Sequence, residues 1–128
     1  MEINEISSSI IKAAIRIHKE LGPGMLESVY KSCMVLELKY IGLALEAEKP
    51  CTIVYREKEI TDQGFRLDLL VEDTVIVELK SVEKVKNVHK KQLLTYLRLT
   101  NKPLGLLINF NEPLLKDGIT RIINDQES

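Results

Sequence analysis

The stretch richest in chemistry runs Phe65-Arg66-Leu67-Asp68-Leu69-Leu70-Val71, then Glu72-Asp73-Thr74, then Val75-Ile76-Val77-Glu78-Leu79-Lys80. Read as an antiparallel hairpin whose loop centres on Asp73, it sets Val71 against Val75, Leu69 against Val77 and Leu67 against Leu79 on one face. Burial of those apolar pairs fixes the register. The opposite face follows: Leu70 meets Ile76, Asp68 meets Glu78, and Arg66 meets Lys80. Directly opposed residues have Cβ atoms about 4.5–5.5 Å apart, so two carboxylates there repel. A divalent cation is one way to remove that repulsion, since Mg²⁺ or Mn²⁺ takes hard oxygen ligands and keeps other positions for water and a phosphate. Lys80 lies two residues beyond Glu78 on the same face, where an ammonium can orient an attacking water or stabilise a pentavalent phosphate. The other way is an exposed face on which Arg66 and Lys80 neutralise the acids by diagonal contact. The hairpin alone does not choose between the two.

Other residues could complete such a centre. Glu27 falls in the first turn of a helix, where a carboxylate is also stabilised simply by the helix dipole. Gln92 and Tyr96, four apart, share one face of a later helix, with His89 three residues before Gln92 on the same side. A glutamine within an apolar stripe needs a polar partner, whereas a lone histidine is most often a surface residue, so His89 is at most a peripheral phosphate contact. The net charge of −1 argues against a protein that coats nucleic acid generally. The charge is nonetheless divided: residues 1–79 carry nine Lys/Arg against fourteen Asp/Glu, while residues 80–102 hold Lys80, Lys84, Lys86, Lys90, Lys91, Arg98 and Lys102 against Glu83 alone. A basic rim beside an acidic centre suits a phosphate next to a cation. A solvated helix face is the plainer reading of the same charges.

These residues need elements to hold them. Ile3, Ile6, Ile10, Ala13, Ala14, Ile17 and Leu21 form one stripe of an amphipathic helix over 3–21, stopped by Gly22-Pro23-Gly24. A second helix is expected over 25–40, ended by Gly42, and a third over 85–99. Strands are expected at 51–56, 65–71, 75–80 and 105–110, with a last one at 119–123. This order describes a mixed α/β fold, a sheet flanked by helices. At 128 residues and 14.6 kDa, with 45% of residues apolar, one domain spanning 1–128 is expected. Cys33 and Cys51 are too few for a disulfide scaffold and lack zinc-site spacing, which points to structural thiols in a reducing cytoplasm. No signal peptide or membrane-spanning run is present in the sequence.

Taken together, Gly24-x-x-Glu27-x-x-Tyr30, Asp68, Glu78-Leu79-Lys80 and Gln92-x-x-x-Tyr96 resemble the PD-(D/E)XK nuclease superfamily. More narrowly, the chain resembles the small bacterial and archaeal GxxExxY family, in the branch similar to RecB-type nuclease domains. The likeness extends through Gly105-Leu106-Leu107-Ile108-Asn109-Phe110 and Gly118-Ile119-Thr120-Arg121. It implies a restriction-endonuclease-like core, with a central mixed sheet carrying the motifs between flanking helices. Asp68 and Glu78 would then be metal ligands for Mg²⁺ or Mn²⁺, with Glu27 and the backbone carbonyl of Leu79 completing or supporting the site. Lys80 would be the catalytic lysine, and Gln92 and Tyr96 the pair that positions substrate or water. Leu67 stands where a proline often precedes the aspartate.

The implied activity is hydrolysis of nucleic-acid phosphodiesters, with DNA as the expected substrate. Lys84, Lys86, Lys90, Lys91 and His89 would contact phosphates, and a homodimer would reach both strands of a duplex. A non-catalytic nucleic-acid-binding or regulatory module on the same fold is the main alternative. A small-molecule phosphatase is a weaker one.

Overall fold

The stripe at the start of the chain forms helix α1, Ile3–Leu21, burying Ile6, Ile10, Ala13, Ala14 and Ile17. The architecture is that of a computed structural model describing residues 1–61 and 65–125. Helix α2, Glu27–Tyr40, begins two residues later than expected, because Gly24 has φ +100° and Leu26 is extended before it. Glu27 is therefore the first helical residue.

Strand β1 is Leu45–Pro50, β2 Ile53–Tyr55, β3 Lys58–Ile60, β4 Arg66–Val71, β5 Val75–Lys80, β6 Leu104–Asn109 and β7 Ile119–Ile123; α3, Asn87–Thr100, joins β5 to β6. The main sheet has the order β1-β4-β5-β6-β7. Only β5 and β6 run parallel, as a connection through a helix requires. Helices α1 and α2 pack with Leu69, Val71, Val75, Val77, Leu79, Leu106 and Ile108 on one face. On the other, Leu93, Tyr96 and Leu97 of α3 cover Leu70, Ile76 and Leu107. This is the mixed, helix-flanked, restriction-endonuclease-like arrangement expected. Among the described residues no helix is long and apolar enough to cross a membrane. Both cysteines are free thiols.

Two expectations need correction. The β-forming run at 51–56 is not a strand of the main sheet. Ile53–Tyr55 pairs instead with Lys58–Ile60 in a separate two-stranded ribbon turning at Arg56 and Glu57, both of positive φ. The main sheet's edge strand is Leu45–Pro50, mostly exposed and therefore without the alternation that burying one face imposes.

The second correction concerns the hairpin register, which holds for Val71–Val75, Leu70–Ile76 and Leu69–Val77 and then stops. Leu67 does not face Leu79; it packs into the α3 cluster, while Leu79 packs with α1 and α2. Nor does Arg66 stand opposite Lys80 in a ladder, since the β4–β5 pairing ends at Leu69–Val77; on its other side Arg66 lies opposite Pro50 of β1. The cause is that β4 stays on the β1 ladder as far as Arg66 whereas β5 stays on β6 as far as Lys80, opposite Asn109. The two middle strands fork.

Candidate active site

Where the ladder ends, the acids take its place. The Leu79 N–H donates to Asp68 Oδ2 at 2.9 Å, and the Asp68 N–H donates to Glu78 Oε1 at 3.2 Å. Each carboxylate thus satisfies a backbone donor on the opposite strand, and the two side chains converge in the fork. Glu78 is only 8% exposed. Burial pushes its carboxyl up to about 8, the negative charge of Asp68 and a hydrogen bond with that side chain add to the shift, and the Asp68 N–H and the Lys80 charge oppose it. Glu78 thus lies buried beside a second carboxylate. Converging hard oxygens in that condition fit Mg²⁺ or Mn²⁺, and they are the residues that would hold such an ion.

One cation that does reach Asp68 comes from α2. Lys31 Nζ lies 3.3 Å from Asp68 Oδ1 and also pairs with Glu48. Burial pulls the Lys31 ammonium down, but the hydrogen bond to Glu48 and the charges of Asp68 and Glu48 outweigh it and hold its pKa above the ordinary lysine value. Glu48 occupies the β1 position between the rungs Ala47–Leu69 and Lys49–Leu67, hence opposite Asp68, with φ +55°. A helix thus supplies a cation to Asp68.

Lys80, at the end of β5, is half-buried, and its ammonium makes no hydrogen bond or ion pair among the described residues. Its charge is felt by Glu78 and by His89. The backbone beyond it is pinned from two sides. Glu27 Oε2 accepts the Ser81 N–H at 3.3 Å, and the Ser81 hydroxyl donates to the Met25 carbonyl at 2.6 Å. Asn109, fully buried, accepts the Val82 N–H at 3.1 Å through Oδ1 and donates to the Val82 carbonyl at 2.9 Å. Glu27 therefore stands beside the end of β5. Among the described residues no cluster of three His, Cys, Asp or Glu side chains is drawn together as a metal site. The turn that starts α2 is fixed by Tyr30, whose hydroxyl donates to the Gly22 carbonyl at 2.6 Å and accepts the Met25 N–H at 3.1 Å. Its ring stacks on Phe110 at 4.2 Å.

On α3, Gln92 Nε2 donates to the Tyr96 hydroxyl at 3.1 Å, so the glutamine has the polar partner it needs. Tyr96 is buried against Phe65. Burial first, and then the charges of Glu78 and Asp68, push its hydroxyl up to about 12, which keeps it protonated near the carboxylates. His89 Nδ1 accepts the Lys86 N–H at 3.0 Å, leaving Nε2 to carry the proton of the neutral ring. Partial burial and the positive charges of Lys80 and Lys86 hold His89 below its ordinary value, with Glu27 opposing. Lys84, Lys86 and His89 line an open depression of about 690 Å³, and Lys90 and Lys91 follow on α3.

Lys31, Glu48, Ser81 and Asn109 were not singled out from the sequence. Lys31 had a signal, since it lies one helical turn from Glu27, and so did Asn109, a polar residue closing an apolar strand. Glu48 had none.

The sequence profile of the PD-(D/E)XK nuclease superfamily matches residues 4–122. No curated protein and no solved structure is significantly similar to the chain. The profile spans both arms of the fork, the helix that begins at Glu27 and the helix that bears Gln92 and Tyr96. On that match the chain belongs to the PD-(D/E)XK nuclease superfamily.

Proposed function

We propose that residues 1–128 act as a single divalent-metal-dependent nuclease domain of the GxxExxY type, in the RecB-like branch, that hydrolyses phosphodiester bonds of DNA. The observation that carries this reading is the meeting of Asp68 and Glu78 in the fork, with the Lys80 ammonium, unpaired among the described residues, at the end of the same strand as Glu78. Bound Mg²⁺ or Mn²⁺ would supply Lewis acidity and an acidified water. Asp68 and Glu78 would hold the ion. The Leu79 carbonyl supports them, because its N–H points to Asp68 and the carbonyl of a strand residue leaves by the same edge. Glu27, beside Ser81, completes or steadies the set. Lys80 orients the attacking water and spreads charge in the transition state. Tyr96, protonated and bonded to Gln92, donates toward substrate. Lys84, Lys86, Lys90, Lys91 and the His89 Nε2–H bind phosphates without reading sequence. A two-fold dimer places a second centre on the opposite strand, and a monomer in sedimentation at micromolar concentration rejects that part.

The test is incubation of plasmid, single-stranded DNA and RNA with Mg²⁺ or Mn²⁺. Asp68→Asn and Lys80→Met should each slow cleavage by about 10²-fold or more. Cleavage surviving both substitutions rejects the site. Binding without cleavage in either metal replaces this reading with that of a nucleic-acid-binding module.

A further inference from the structure

The ion pair on Asp68 is built from three separate elements. Lys31 comes from α2, Glu48 from β1 and Asp68 from β4, and the ammonium lies between the two carboxylates. Asp68 Oδ2 is engaged by the Leu79 N–H and Oδ1 by Lys31, so both oxygens of this carboxylate already have partners. The Lys31 and Asp68 side chains are only 22% and 20% exposed, which limits solvent screening of their attraction. Glu48 takes a left-handed backbone conformation that side chains rarely adopt, and it does so at the β1 position opposite Asp68.

A divalent cation on Asp68 and Glu78 would sit within a few ångströms of that ammonium, and like charges at such range repel strongly where water is partly excluded. Coupling between two ligands of one group is reciprocal: the cation loosens the hold of Lys31 on Asp68, and Lys31 weakens the cation. Glu48 matters here because it keeps the displaced ammonium partnered.

We propose that Lys31, tethered by Glu48, is a resident counter-ion of the centre, which neutralises Asp68 when no metal is bound and competes with the divalent cation for that carboxylate. The inference rests on the reading that Asp68 and Glu78 hold a divalent ion. It makes Lys31 a residue that sets how much metal the protein needs. Its signature is a pair of effects with opposite sign.

The experiment compares the full chain with Lys31→Gln, which retains hydrogen-bonding capacity and loses the charge, and with Lys31→Arg, which retains the charge. Mn²⁺ affinity is measured by titration calorimetry and melting temperature in EDTA. Lys31→Gln is expected to bind Mn²⁺ about tenfold more tightly and to melt a few degrees lower without metal. Lys31→Arg should follow the native chain in both. A Lys31→Gln protein that folds only when Mn²⁺ is added also supports the proposal. Equal or weaker Mn²⁺ binding by Lys31→Gln, beside clear binding by the native chain, overturns this inference alone. If neither protein binds Mn²⁺, the metal reading fails and the counter-ion role fails with it.

Discussion

Glu78 is buried beside another carboxylate, and its titration should be visible in stability. Its carboxyl keeps a proton up to about pH 8 in the folded metal-free protein, against 4.5 when exposed. Between those values the folded chain binds the proton and the unfolded chain does not, so stability falls as pH rises through that window and levels off above it. Thermal unfolding in EDTA from pH 5 to pH 8.5 should show the decline, and Glu78→Gln should flatten it; equal slopes in the two proteins would remove the buried proton from the account. Saturating Mn²⁺ should flatten the native slope as well. The nearness of Asp68 and Glu78 was legible in the sequence because a two-residue period and one tight turn bring their strands together, though they meet through each other's backbone and not across a ladder. Lys31 and Glu48 were not, because their meeting depends on α2 docking beside an edge strand that no hydrophobic pattern announces.

At the level of elements, the first turn of α2 depends on Tyr30. The Tyr30 hydroxyl closes the 22–25 turn with two hydrogen bonds while its ring is wedged on Phe110. Tyr30→Phe should keep the stack and leave the Met25 amide and the Gly22 carbonyl, at a partly exposed turn, without that partner, at a cost of about 0.5–1.5 kcal/mol. Urea unfolding checks this: a lower midpoint with unchanged slope is the expected result, and an unchanged midpoint would show that the turn holds itself. Most elements were readable to within two residues, from helical stripes over α1 and α3 and from apolar runs over β4, β5 and β6. β1 was not, since Leu45–Pro50 carries Glu46, Glu48, Lys49 and Pro50 and is exposed along most of its length. Its place is decided by β4, which offers a free edge, rather than by its own composition. The break in the β4–β5 register was illegible for the same reason. It is imposed by the strands on either side.

For the whole molecule, charge is distributed more tellingly than its sum of −1 suggests. If the depression lined by Lys84, Lys86 and His89 carries phosphates, the affinity for a labelled DNA should fall linearly with salt on logarithmic axes. Replacing Lys84 and Lys86 together by alanine should reduce that slope by about 1.4–1.8. Fluorescence anisotropy over a salt series measures it, and an unaltered slope would put the backbone elsewhere on the surface.

The fork between β4 and β5 also sets the order in which the protein can become competent. β6 draws β5 aside, and it enters only at Leu104, after α3 has crossed the sheet. A growing chain already owns both acids and the lysine some two dozen residues earlier, but without β6 the hairpin has no reason to part. The placement of Asp68 and Glu78 in the fork therefore depends on β6, a strand that follows Lys80 by some two dozen residues.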